Sequence, residues 1–298
     1  MTEELANGRV VVGVDGSEDG NRAVEYGVRA ALSNGADLLL AHAVDDAVLA
    51  GAWGVVYDPG LLQDAGHEAA DGARRHAVEM GMPEDRVQAD IFMGNPAAVL
   101  TRLSEDAPLV VVGRRAMSGL ERLFVGSTSV GVAASASCPV IMVSAASHKP
   151  KTGDLGVIGV GLDGTERCSD ALRFAFAEAQ HRGARLQIIH AFELPTSFFA
   201  DRQDVDARRE SALQNAQQGI GRLVEPLRAE FPDVTAEVEI VNAHPVNELT
   251  RRSGDLDLLI LGVHGFAFPG LSPGATIRAI MAHGLCPLGL VRNKKKKD

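Results

Sequence analysis

Apolar runs four to six residues long recur along the chain, each closed by glycine or a polar turn, with longer segments of helical period between them. Arg9 to Asp15 reads as a first strand ending in the turn Asp15-Gly16-Ser17. Glu18 to Asn34 carries Ala23, Val24, Gly27, Ala30 and Ala31 at helical spacing, and Gly35 stops it. Ala36 to Ala43 is a second apolar strand, and Val44 to Pro59 has no clear period and reads as a long loop. Gly60 to Met80 is helical up to Gly81-Met82-Pro83. Arg86 to Met93 alternates as a strand, and Pro96 suits the first turn of a helix running to Glu105. Leu109 to Gly113 is a buried strand, Ser127 to Ser137 a helix, and Cys138 to Val143 a last strand. Strand–helix alternation of this kind predicts a doubly wound parallel α/β sheet with right-handed crossovers.

After a polar linker, Ser144 to Asp154, the pattern begins again. Gly159-Val-Gly161-Leu-Asp163-Gly-Thr165 repeats Val11-Val-Gly13-Val-Asp15-Gly-Ser17, and His190-Ala191 repeats His42-Ala43. His244-Pro245 matches Asn95-Pro96, Leu258 to Gly262 matches Leu109 to Gly113, and Cys286-Pro287 matches Cys138-Pro139. Asp15 and Asp163, His42 and His190, and Cys138 and Cys286 each lie 148 positions apart, a spacing that points to two homologous domains, 1–146 and 155–293.

The candidate chemistry sits where the fourth strand of each half meets its next helix. Gly113-Arg114-Arg115-Ala116, nine further residues, then Gly126-Ser127-Thr128 form a loop between a strand end and a helix N-terminus. Free amides and the positive end of the helix dipole converge there and favour an anion. Gly113 is expected to let a ligand approach the backbone. Gly126 is expected to adopt positive φ so that the following amides turn inward, and Ser127 and Thr128 add hydroxyl donors. The plainer reading of the same residues is a strand–helix turn with Ser127 as N-cap.

At 298 residues the chain has the length of two ordinary domains. Its net charge of −10 argues against general nucleic-acid binding, and Lys294 to Lys297 reads as a solvated terminal tail. No apolar run reaches a membrane span, and Met1-Thr-Glu-Glu-Leu5 lacks the apolar core of a signal peptide. Cys138, Cys168 and Cys286 form neither a disulfide framework nor a ligand cluster, so a reducing cytoplasm is expected.

In this order, and repeated, these motifs resemble the universal stress protein family in its tandem, actinobacterial form, over both halves nearly end to end. The resemblance implies two five-stranded parallel sheets of order 3-2-1-4-5, paired as a pseudo-dimer through their last strands. It also implies an ATP site, with or without Mg²⁺, across the carboxyl ends of the strands. Carried over, Asp15 meets the adenosine moiety, Gly13 allows close approach and Ala43 lines the adenine side. Gly113, Ala116, Gly126, Ser127 and Thr128 hold ribose and phosphates, with Arg114, Arg115 and Arg122 near enough in sequence to add charge. The second-half counterparts are Gly161, Asp163, Ala191, Gly262, Gly265, Gly274 and Thr276. Two departures stand out. Ala116 replaces the pattern's second glycine. In the second half eight residues, not nine, separate Gly265 from Gly274, and Ala275 replaces the serine; Thr276 and His264 partly compensate, while Pro269 and Pro273 stiffen the loop.

The resemblance implies a cytoplasmic stress-response regulator in which ATP biases conformation or assembly, as a homo-oligomer or with a protein partner, and with slow hydrolysis at most. A nucleotide-free scaffold of the same fold is the alternative, and an adenylating or hydrolysing enzyme the third reading. Neither a Gly-x4-Gly-Lys-Ser/Thr loop nor a Gly-x-Gly-x-x-Gly fingerprint appears, and the Asp15-Gly16-Ser17 turn lacks the glycine pair of the adenylating enzymes' pyrophosphate loop. No catalytic residue is assigned: Asp15 and Asp163 lack an accompanying base or nucleophile and read as ligand-binding or turn-capping carboxylates. No metal ligand is assigned either. His42 and His190 read as hydrogen-bonded structural histidines, and His67 and His76 as members of a solvated helix face. Cys138 and Cys286 read as inert thiols at strand starts, and Cys168 as partly exposed in a first helical turn.

Overall fold

The structure, a computed structural model, describes residues 5–45, 59–114, 125–148, 156–193, 202–263 and 274–293, with backbone alone at 59–63 and 202–208. Described residues up to 148 form one unit and those from 156 onward a second.

In the first unit the strands are β1 (Val10–Gly13), β2 (Leu38–Val44), β3 (Val87–Met93), β4 (Leu109–Gly113) and β5 (Val140–Val143), in the order β3-β2-β1-β4-β5. Every pairing is parallel. Val10, Val11 and Val12 of β1 and Val110 and Val111 of β4 are at most 1% exposed, as expected of strands covered on both faces. Helix α1 (Glu18–Asn34) is capped at its start by Ser17, whose Oγ accepts the Gly20 N–H at 2.9 Å, and opens with Glu18 and Asp19 at the positive end of its dipole. It ends at Gly35, φ 64°, which only glycine adopts cheaply. Gly27 lets this helix lie close to the sheet, because a Cβ there would stand 2.4 Å from Val12 Cγ2.

Helix α2 (Pro59–Glu79) packs on β2 and β3. Helix α3 (Pro96–Leu103) is capped by Asn95, which accepts from the Ala97 and Ala98 amides, with Pro96 in its first turn. Helix α4 (Ser127–Ser135) follows β4. The linker read as beginning at Ser144 instead holds a 3₁₀ turn over Ala145–His148. Asp19, buried at the start of α1, anchors it by accepting the Ala145 N–H at 3.0 Å. Of the long loop expected from Val44 to Pro59, Val44 belongs to β2 and residues 46–58 lie outside the described residues.

The second unit repeats the plan with β6 (Val157–Gly161), β7 (Arg185–Phe192), β8 (Ala236–Asn242), β9 (Leu258–Val263) and β10 (Leu288–Arg292), all parallel, in the order β8-β7-β6-β9-β10. Its helices are α5 (Ser169–Arg182), α6 (Arg202–Glu230), α7 (Pro245–Arg252) and α8 (Ala275–His283). Each unit is thus a doubly wound α/β fold whose strand order reverses between the first and fourth strands of its own repeat.

Candidate nucleotide site

Parallel strands carry every strand-end residue to one edge of the sheet. In the first unit β1, β2 and β4 bring Gly13 with Asp15, Ala43, and Gly113 with Arg114 to the same carboxyl edge, and the point of strand reversal lies between β1 and β4. A crevice outside that edge is where open α/β sheets take ligands.

Asp15 follows β1 and is exposed, and its Oδ1 accepts the Ser17 N–H at 3.0 Å. Among the described residues that is its one hydrogen bond, so most of the carboxylate's acceptor capacity faces solvent. The turn sits against the start of α1, where Gly20 leaves room for it: a Cβ on Gly20 would lie 2.7 Å from Asp15 Oδ1 and 3.2 Å from Ser17 Oγ.

Across the reversal point, α4 begins on Gly126, which has no side chain to cap it. The amides of Ser127, Thr128 and Ser129 have no acceptor among the described residues, as the first turn of any uncapped helix requires. Ser127 is exposed and Thr128 half-buried. Gly126 sits at φ −59°, ψ 142°, so the positive φ expected of it is not used; the extended N-cap conformation alone aims the three amides. The alternative of Ser127 as N-cap is also displaced, because Ser127 is the first helical residue. The Gly126 N–H donates to Arg114 O at 2.9 Å, and the Arg114 N–H to Val143 O at 2.7 Å, which pins the helix start to the ends of β4 and β5.

One contributor escapes a reading of the sequence. Ser129 is buried and its Oγ donates to Gly113 O at 2.6 Å, fastening the first turn of α4 to the last residue of β4. A third hydroxyl after a Gly-Ser-Thr run was its signal. Gly113 itself turns out to serve packing: a Cβ there would lie 2.7 Å from the Asp19 carbonyl carbon and 2.8 Å from its oxygen. Gly13 likewise yields its space to Leu100, whose Cδ1 would stand 2.8 Å from an added Cβ. Ala43 is half-buried in β2, in register with Phe92. Ala116, Arg115 and Arg122 lie outside the described residues; Arg114 is buried, 5% exposed.

In the second unit Gly161 ends β6, Ala191 lies in β7, Gly262 in β9 pairs with Val291, Gly274 is the N-cap of α8, and Thr276 is exposed in its first turn. Gly265 and His264 lie outside the described residues. Asp163 is exposed as Asp15 is, but its Oδ1 accepts three bonds: the Thr165 N–H at 2.8 Å, the Thr165 Oγ1–H at 2.7 Å and the Cys168 thiol at 3.1 Å. Cys168, expected to be partly exposed, is 2% exposed. A 3₁₀ turn over Glu166–Cys168 precedes α5 and draws the side chain inward. Burial pushes this thiol up to about 12. Cys286 is buried and Cys138 half-buried.

Both repeat histidines brace the first strand of their unit. His42 Nδ1 lies 2.9 Å from Val14 O and His190 Nδ1 2.9 Å from Leu162 O. A carbonyl only accepts, so in each ring Nδ1 carries the proton. His67 is exposed, and His76 lies 3.6 Å from Glu25. Among the described residues no group of three metal-ligating side chains occurs, and no helix is long and apolar enough to cross a membrane.

This architecture is matched among known proteins. The model of the Universal stress protein family matches residues 6–144 and again 156–292. A universal stress protein of Mycolicibacterium smegmatis is 27% identical over 306 residues, spanning 98% of this chain and 99% of its own. One of Mycobacterium tuberculosis is 26% identical over 300 residues, spanning 95% and 96%. The crystal structure of a universal stress protein from Archaeoglobus fulgidus has a TM-score of 0.67 at 17% identity, covering 96% of this chain and 99% of that one, and at that identity it speaks for the fold. With both halves matched, the chain belongs to the universal stress protein family and carries that domain twice in tandem.

Proposed function

We propose that the first unit binds an adenine nucleotide, ATP, with Mg²⁺ as counter-ion to its phosphates. The observation that carries this reading is the uncapped first turn of α4, which follows β4, together with the largely unengaged carboxylate of Asp15, which follows β1, the two strands between which the order reverses. The donor set fits the ligand's two ends. Three amides, two hydroxyls and the positive end of a helix dipole suit phosphate oxygens, and an acceptor-only carboxylate suits hydroxyl or amino donors of a nucleoside. Ser127 and Thr128 would hold phosphate, Asp15 the nucleoside, and Gly13, Ala43 and Gly113 would form the floor between them. By the family's pattern Ala116 would join Ser127 and Thr128 in holding ribose and phosphates.

Nothing in this set is a base or nucleophile positioned for turnover, so ATP serves as a ligand that biases conformation or assembly. The protein is then a regulator acting in the cytoplasm, through self-association or a protein partner, rather than an enzyme. Thermal melting with and without ATP·Mg²⁺ tests the reading. Ligand at a hundred times its dissociation constant stabilises by about 2.7 kcal/mol. An unchanged melting curve at millimolar ATP would leave the nucleotide-free scaffold, the reading that the alanine at position 116 favours.

A further inference from the structure

Although the two units share a fold and strand order, the carboxylates after their first strands differ in what already occupies them. The difference traces to one pair of equivalent positions, Gly20 and Cys168, which are 148 residues apart like the other repeat markers. In the first unit Gly20 lies within α1, its amide takes Ser17 Oγ as acceptor at 2.9 Å, and Ser17 is committed as the helix cap. Asp15 Oδ1 then receives the Ser17 backbone N–H.

In the second unit a side chain at this position could not stay in the same place, since a Cβ on Gly20 falls 2.7 Å from the carboxylate oxygen. The backbone there tightens to a 3₁₀ turn in which the Cys168 N–H donates to Thr165 O at 3.1 Å. Thr165, the equivalent of Ser17, makes no side-chain cap bond, and its hydroxyl turns back on Asp163 Oδ1 at 2.7 Å. The Cys168 thiol adds a third donor at 3.1 Å to the same oxygen. A carboxylate offers about two lone-pair sites per oxygen, so Oδ1 of Asp163 is filled by its own chain. On the phosphate side the second unit also holds fewer donors: Ala275 and Ile277 stand where Ser127 and Ser129 do, so neither the exposed hydroxyl nor the tie to the strand end is present. The amide face alone does not separate the units, because α8 also opens on a glycine without a side-chain cap.

We infer that the chain takes one nucleotide rather than two, in the first unit, and that Cys168 with Thr165 occupies, in the second unit, the carboxylate oxygen whose first-unit counterpart carries a single bond. Asp163 is then a turn carboxylate, and the tandem chain pairs a ligand-responsive half with a ligand-silent one. This rests on the nucleotide reading of the first unit. The thiol's role is to donate a hydrogen bond, and nothing here needs it to react.

Two measurements on the intact chain test the inference. Isothermal titration with ATP·Mg²⁺ is expected to give a stoichiometry of one, and the Asp15→Asn variant, whose amide oxygen can still accept the Ser17 N–H and keep the turn, is expected to lose the binding heat. Hydrogen exchange, which needs no variant, is expected to show ATP-dependent protection at residues 127–130 and none at 275–278. A stoichiometry of two, one site surviving in Asp15→Asn, or protection at 275–278 would overturn the inference and leave nucleotide binding itself intact. No binding at all would overturn the nucleotide reading, and this inference with it.

Discussion

Gly20→Ala separates the ligand-binding role proposed for the Asp15 turn from its structural role. The added methyl carbon would stand 2.7 Å from Asp15 Oδ1, 3.2 Å from Ser17 Oγ and 3.6 Å from Asp15 N. Carbon–oxygen contacts settle at roughly 3.3–3.6 Å, so the carboxylate oxygen has to retreat by roughly 0.6–0.9 Å. That stretches the 3.0 Å bond from the Ser17 N–H beyond hydrogen-bonding range and swings the carboxylate off its bearing. Because Asp15 is exposed, water replaces the lost bond and the cost to folding is small, about 0.5–1.5 kcal/mol. Alanine in place of a helical glycine returns up to about 1 kcal/mol. The two nearly cancel, so the melting temperature is expected to move by no more than a few degrees. Binding has no such compensation. Loss of one hydrogen bond between the ligand and a charged acceptor costs about 1.5–3 kcal/mol, a rise in Kd of roughly ten- to a hundredfold. Titration calorimetry and thermal melting of the same preparation read both quantities. An affinity within twofold of wild type would refute the assignment of Asp15 as a ligand contact, and a stability loss above about 3 kcal/mol would refute the cancellation.

Gly113→Ala and Gly13→Ala should part company in urea denaturation. The first drives its methyl into the Asp19 backbone at 2.7 Å and is expected to cost about 1–3 kcal/mol, whereas the second meets the movable tip of Leu100 at 2.8 Å and should cost less. Equal costs would contradict the packing described for the start of α1. Cys168 is expected to resist alkylation in the native state: at pH 8 a thiol at about 12 carries roughly a thousandfold less thiolate than one at 9.0. Iodoacetamide with peptide mapping should label Cys138 first, and labelling of Cys168 at the rate seen in the denatured chain would overturn the burial argument. Because the folded state holds the Cys168 proton more tightly than the unfolded chain does, its contribution to stability is complete below about pH 9 and fades between about 9 and 12. At the surface of the second unit the Arg251 side chain, bonded to Glu248 at 2.6 and 3.1 Å, holds that carboxyl below its ordinary value with help from Arg252. The stabilisation is present at neutral pH and is lost as pH falls through the carboxylate range, so Glu248→Gln should flatten the acid limb of a melting-temperature profile; an unaltered limb would show the cluster to be idle.

The fold was legible because its signals are local. Runs such as Leu109–Gly113 are apolar enough to be buried on both faces, and Ser17–Gly35 carries a cap, a helical period and a glycine stop within one stretch. The repeat then supplied the second unit. The site was legible only as a neighbourhood. Gly113 meets Asp19, a residue 94 positions away, and no sequence period reveals that its missing side chain makes room for a helix. Gly126 suggested a left-handed turn because glycine permits one, yet an N-cap in extended conformation needs no such freedom. The burial of Cys168 depends on whether the chain enters the helix through an α or a 3₁₀ turn, which composition does not decide.

The bond from the Gly126 amide to the Arg114 carbonyl has an evolutionary consequence. It makes the chain leave and re-enter at a single latch, so what is threaded between those two residues can be lengthened, shortened or rewritten without re-registering a strand. Closing a longer span there costs only a slowly growing, logarithmic penalty. Such a latch gives one ancestral unit, once duplicated, freedom to vary the length and sequence of that span while the scaffold stays the same.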